Sequence, residues 1–139
     1  MSTTEIKLSR RGGYRFEASN CLGKTAILDG PVKMGGNDDG MRPMEMVLVG
    51  LAGCSSFDVL HTLEKGRQIP EDVDVVVTAE RADAVPAVFT KIAMHFKVSG
   101  AVTEKRLQQA IDLSVEKYCS VAAMLGKTAE ISTSYEIVE

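Results

Sequence analysis

The sequence predicts an α+β fold: antiparallel strands around a hydrophobic central helix, with a second, amphipathic helix. Three observations predict it. Residues alternate between polar and apolar in the first and last thirds, an apolar helical run opens at Pro43, and an amphipathic stretch follows Thr103. At 139 residues, with 45% hydrophobic and 25% charged residues, the chain suits a single domain over residues 1–139. A domain of this size buries roughly two-thirds of the surface its unfolded chain exposes, so it folds without a metal or disulfide staple.

Taken in order, Glu5-Ile6-Lys7-Leu8 and Tyr14-Arg15-Phe16-Glu17-Ala18 alternate on either side of Gly12-Gly13, the pattern of a hairpin with one buried face. Lys24 to Leu28 adds a third strand. The Gly-, Asp- and Asn-rich stretch from Asp29 to Arg42 reads as a long loop, flexible or functional, because structureless loops of such length are uncommon in small domains. Pro43 suits a first helical position, where its missing N–H costs nothing.

From Met44 to Cys54 the helix is apolar nearly all round, interrupted by Glu45, Gly50 and Gly53, and so must be buried in the centre of something. From Ser55 to Arg67 it becomes amphipathic. Phe57, Leu60 and Leu63 form the apolar side, and Ser55, Asp58, His61, Glu64 and Lys65 face elsewhere. Gly66 and Pro70 end it. Val73 to Arg81 and Phe89 to Ser99 flank a turn at Asp83 to Pro86 as a second hairpin. Thr103 caps a helix over Glu104 to Tyr118 with Leu107, Ala110, Ile111, Val115 and Tyr118 as its stripe. Glu130 to Val138 closes the chain as an alternating strand.

Charge and segment length narrow the function. The net charge is -3 and the basic residues are scattered, which argues against a phosphate-binding surface and hence against nucleic acid. Met1 to Arg11 lacks the apolar stretch of a secretory signal. The longest apolar stretch, Met46 to Cys54, is about half the ~18 residues of a membrane span. A cytoplasmic location with no membrane partner is expected.

The three cysteines, Cys21, Cys54 and Cys119, show no C-x-x-C spacing, and His61 and His95 are the only histidines. Structural zinc usually takes closely spaced ligand pairs, so no metal site is expected. In a reducing compartment such thiols stay free unless they are redox-active. Cys54 reads either as a small hydrophobe in a packed helix or as a reactive thiol. Cys119 sits at a helix end, where Ser120 could cap a short turn through Leu125 and set the sulfur near a helix N-terminus. Cys21 reads as a strand or turn residue. Asp58 and His61, one and nearly two turns beyond Cys54, share its helix face by spacing, where a carboxylate would oppose and a protonated histidine favour ionisation of the thiol. For both, a solvated helix face is the preferred reading. The seven methionines, Met44, Met46 and Met124 among them, read as adaptable core packing.

The segment from Arg42-Pro43-Met44-Glu45 through Gly50-Leu51-Ala52-Gly53-Cys54 to Leu60 closely resembles the central helix of the OsmC/Ohr family. A second cysteine near the end of the second helix, Cys119-Ser120-Val121, matches the family's other hallmark without its usual following proline. Chain length, element order and a separation of 65 residues between the two thiols fit along nearly the whole sequence.

The resemblance implies an intertwined homodimer that reduces organic hydroperoxides, with Cys54 attacking and Cys119 resolving. The reductant it implies is an external small or lipoyl-type dithiol, with no bound cofactor. It also implies an arginine held by a glutamate beside the attacking thiol. The family's glutamate follows the proline directly, whereas Met44 stands there and Glu45 comes one place later, rotated by roughly 100° about the helix. Arg42 lies twelve residues before Cys54, about 18 Å along a straight helix. It therefore acts across a dimer interface or through a bend, and Arg10, Arg11 and Arg15 are alternatives. The two departures leave a second reading, a thiol- or sulfur-ligand carrier on the same fold.

Overall fold

The computed structural model describes residues 2–138, which divide into two compact units, 2–47 and 48–138. In the first, β1 (Lys7–Arg10), β2 (Phe16–Ser19) and β3 (Thr25–Leu28) pair antiparallel in that order. Gly12 and Gly13 turn the first connection at φ of 109° and 55°, conformations that residues with a Cβ rarely adopt. The strands begin one or two residues later than the alternation suggests, a normal uncertainty at element ends.

The long loop after β3 is not structureless, because Asp29 organises it. This carboxylate is buried, with 2% of its surface exposed, and accepts backbone N–H groups from Gly30 (2.7 Å), Asn37 (3.1 Å) and Asp39 (3.1 Å). Burial pushes the Asp29 carboxyl up. The three N–H donors and the Arg15 guanidinium outweigh it and hold the group below its ordinary value. A short 3₁₀ turn over Val32–Met34 and an ion pair between Arg42 and Asp38 complete the loop.

Helix α1 (Pro43–Lys65) starts where Pro43 indicates. Glu45 Oε1 accepts the Arg42 backbone N–H at 2.7 Å, the reciprocal half of a capping box, so this carboxylate closes the helix N-terminus. By length and composition alone α1 passes for a membrane-crossing helix. The residues it buries, Leu51, Ser55, Val59 and Leu63, recur every four positions along one stripe.

That stripe differs from the one the periodicity suggests. Phe57 is 75% exposed and Ser55 fully buried, the reverse of the expectation. Apolar spacing alone missed this because the Ser55 hydroxyl finds a buried partner, which removes the cost of placing a serine in the core. Nor is the first half of α1 enclosed by its own chain, since Val47 and Val49 remain 37% and 46% exposed.

The second sheet has the order β4-β5-β6, with β4 (Pro70–Arg81), β5 (Phe89–Gly100) and β6 (Glu130–Val138). β4 and β5 form the expected hairpin, but β6 runs parallel to β5. The helical segments between them supply the long crossover that parallel pairing requires and a tight turn cannot. Phe89, Ile92, Met94, Phe96 and Val98 of β5 are buried, as are Leu107, Ala110 and Ile111 of α2 (Glu104–Leu113). Gly100 ends β5 at φ 112°, where a Cβ would stand 2.7 Å from the Glu71 nitrogen.

Thr103 caps α2 as its sequence suggests, its hydroxyl accepting the Arg106 N–H at 3.3 Å. The helix does not run regularly to Tyr118. It widens into a π turn over Ser114–Tyr118, and Tyr118 is 51% exposed instead of joining the stripe. A third helix, α3 (Ser120–Leu125), follows at once.

Candidate functional site

The site is built by α1, the π turn and the start of α3. A π turn inserts one residue into the helical spacing and recurs at functional positions. Here the Cys119 N–H bonds to the Ser114 carbonyl at 2.7 Å, across five residues, and the chain then leaves helical conformation at Cys119. Cys119 is itself the N-cap of α3: its sulfur, not the Ser120 hydroxyl, accepts the Ala122 N–H at 3.3 Å. The sequence reading placed the sulfur near this helix start but assigned the cap one residue late.

Cys54 and Cys119 come together. Their sulfurs and one Asp58 carboxylate oxygen all lie within 4.8 Å of one another. Both cysteines are free thiols, Cys119 buried and Cys54 partly so. Asp58 belongs to the site rather than to a solvated face. One turn after Cys54 on α1, it shares the side of the helix that meets the π turn.

Two serines hold the carboxylate in place. The buried Ser55 and Ser114 hydroxyls are 3.0 Å apart, and Ser114 Oγ donates to Asp58 Oδ2 at 3.0 Å. Apolar periodicity carries no sign of this Ser55–Ser114–Asp58 network. The available signal was a small polar residue at an i+4 step on each helix, which reads equally well as surface.

Burial pushes the Cys119 thiol up to about 11, the hydrogen bond and charge of neighbouring Cys54 add to the rise, and the Ala122 and Val121 N–H groups offset part of it. Cys119 therefore stays protonated at neutral pH. Because its folded value lies above the ordinary 9.0, the neutral thiol favours the folded state fully below about pH 9, and this contribution is lost as the pH rises through about 11. A Cys119→Ala protein is expected to lose less thermal stability between pH 8 and 11 than the wild type does. Parallel declines would contradict the assignment.

Arg42 and Glu45 belong to the first unit, where Arg42 pairs with Asp38 and Glu45 caps α1. Arg11 and Arg15 pair with Glu17 and Asp39 at 2.9 and 3.6 Å. Arg10 Nε donates to the Gly13 carbonyl at 2.8 Å. Cys21 is exposed in the turn between β2 and β3. His61 lines an open recess of about 510 Å³ together with Asp58, Thr62, Lys65, Leu113 and Tyr118, so it borders the approach to the site. His95 bonds Ser134 and Glu136 on the second sheet.

Comparison with known proteins identifies relatives in sequence and in fold. The family profile described as OsmC-like protein matches residues 36–134. Protein YhfA of Escherichia coli strain K12 is 42% identical over 127 residues, 91% of this chain and 92% of its own length. The crystal structure of a hypothetical protein from Aquifex aeolicus VF5 superposes with a TM-score of 0.87 at 32% identity, covering 99% of this chain and 98% of that one. An organic hydroperoxide resistance protein OsmC from Legionella pneumophila gives a TM-score of 0.73 at 17% identity over 98% of both chains, a likeness of fold alone.

Proposed function

The chain belongs to the OsmC-like protein family, and from that premise we propose that it reduces organic hydroperoxides through Cys54 and Cys119, regenerated by an external dithiol. What supports this reading is a single juxtaposition: two free thiols 65 residues apart in sequence whose sulfurs lie within 4.8 Å of each other. The Cys54 thiolate attacks the peroxide O–O bond, releasing the alcohol after protonation and leaving Cys54 as a sulfenic acid. The Cys119 thiol then displaces water from that sulfenic acid, giving a Cys54–Cys119 disulfide. A small or lipoyl-type dithiol reopens the bridge by exchange, itself becoming the disulfide, and no bound cofactor is required.

Burial supports these roles. The enclosed Cys119 thiol, held neutral, suits the resolving part, and the more accessible Cys54 meets the peroxide. With an alkyl hydroperoxide and a dithiol, the wild type is expected to consume peroxide and Cys54→Ser to fall to the uncatalysed rate. Equal rates for the two would overturn the reading.

The functional unit we propose is a cytoplasmic homodimer. Val47, Val49 and Phe57 project from different sides of α1 with 37%, 46% and 75% of their surfaces exposed, apolar area that a second copy wrapping the helix would cover. The positive charge beside Cys54 then comes from Arg42 with Glu45, as the family resemblance suggests, or from Arg10, Arg11 or Arg15. Light scattering at micromolar concentration is expected to give the mass of two chains, and a stable monomer would remove this part of the proposal.

One observation favours a second reading, a carrier of thiol or sulfur-containing ligands. A charged side chain within 4.8 Å of both sulfurs is the carboxylate of Asp58, an anion where the family resemblance implies a guanidinium. A carrier would keep a lone adduct on one thiol, whereas the redox pair consumes both sulfurs together.

A further inference from the structure

We propose that Cys54, Asp58 and Cys119 form a binding site for a soft divalent cation, with zinc as the representative ion. Three donor atoms from two structural segments lie within 4.8 Å of one another, and all belong to residues at least partly withdrawn from solvent. Tetrahedral zinc with Zn–S near 2.3 Å and Zn–O near 2.0 Å sets its donors about 3.5–3.8 Å apart. The triangle therefore closes on the ion by contracting no more than about 1.3 Å along any edge.

The donor set matches this ion class. Two sulfurs select a thiophilic metal over magnesium or calcium, and one carboxylate oxygen completes a three-ligand site with its fourth position open. Two of the three donors are also oriented from behind. Ser114 donates to Asp58 Oδ2 at 3.0 Å, the other carboxylate oxygen accepting no hydrogen bond among the described residues, and the Ala122 N–H holds the Cys119 sulfur at 3.3 Å. The open recess beside Asp58, lined by His61, Lys65 and Tyr118, gives an ion a path in.

Cysteine and histidine spacing hides such a site. Its closely spaced pair is Cys54 with Asp58, one turn apart on α1, and a lone aspartate is not counted among zinc-motif residues. Metal and oxidant compete for the same sulfur lone pairs, so the metal-loaded form is inert to peroxide and to alkylating reagents, and the disulfide form does not bind the ion. Cation binding itself does not depend on hydroperoxide being the substrate.

The test is anaerobic titration of the reduced, full-length protein with Zn²⁺ against a chromophoric chelator. One ion per chain at micromolar or tighter affinity is expected. Cys54→Ser should abolish binding, and Asp58→Asn should weaken it by at least about 10–100-fold. Zinc-loaded wild type should also resist alkylation at both Cys54 and Cys119. Wild type without one-to-one binding overturns the site, and so does Asp58→Asn with unchanged affinity, since the cation would then be held adventitiously by a thiol pair alone. Should Asp58→Asn fail to fold, Co²⁺ added to wild type decides the matter: tetrahedral absorption with thiolate-to-cobalt charge transfer supports the site, and its absence refutes it. Hydroperoxide turnover without zinc binding would refute this inference and leave the proposed function standing.

Discussion

A Cys119→Ser protein is expected to consume its first equivalent of hydroperoxide and then stall, with turnover lowered on the order of 10–100-fold. In the proposed mechanism the first step belongs to Cys54 and needs no second thiol. The second needs a thiol held against the sulfenic acid, and Cys119 supplies it from within 4.8 Å. Removing that neighbour leaves reduction to an external dithiol, which must find the site by collision and lacks the effective concentration of a tethered group. Cys54 then persists as a sulfenic acid that a trapping reagent captures, and a second equivalent carries it to the sulfinic acid. Serine is a strong N-cap residue, so the substitution keeps the bond from Ala122 N–H and with it the start of α3. Undiminished turnover in a folded Cys119→Ser protein would take Cys119 out of the mechanism.

The second large effect is expected at Ser114. Its hydroxyl touches Ser55 Oγ and Asp58 Oδ2 at once, and both serines are fully buried. Ser114→Ala leaves the Ser55 hydroxyl without this buried partner and Asp58 free to turn, at a cost of about 1–3 kcal/mol. Removing both hydroxyls in Ser55→Ala/Ser114→Ala should cost less than the sum of the two single changes, because neither partner is then left orphaned. Additive losses in denaturant unfolding would show that the hydroxyls are not coupled. Closure of the disulfide should slow in Ser114→Ala as well, because the carboxylate that this hydroxyl fixes sits beside both sulfurs.

Much of the fold was legible because local signals agreed with one another. Gly12-Gly13, Pro43 and Thr103 each mark a boundary by backbone chemistry that acts within a few residues, and each marks one here. What escaped depended on partners distant in sequence. Apolar spacing put Phe57 inside and Ser55 outside. The reverse holds because Ser55 meets Ser114, 59 residues away, and a satisfied buried hydroxyl costs little. Alternation in β6 gave its face but not its direction, since parallel and antiparallel strands share a period of two.

The two thiols were found by likeness to a family motif, and their meeting could not be read from spacing. It depends on the π turn that re-aims the chain between Ser114 and Cys119. No propensity scale anticipates such a turn inside a run that reads as one amphipathic helix. Asp58 shares the Cys54 face by spacing yet reads as solvated for the same reason: on its own helix it is one polar residue among several, and the approach of Ser114 and Cys119 makes it part of a site.

The central claim is that Cys54 and Cys119 act as one redox unit, and the most direct measurement is the intact mass of the reduced protein after substoichiometric alkyl hydroperoxide, with peptide mapping. The account predicts a loss of two hydrogens per reacted chain and a cross-linked peptide joining Cys54 to Cys119. A stable oxygen adduct on Cys54 with Cys119 still a free thiol, or no change in mass at all, would contradict it.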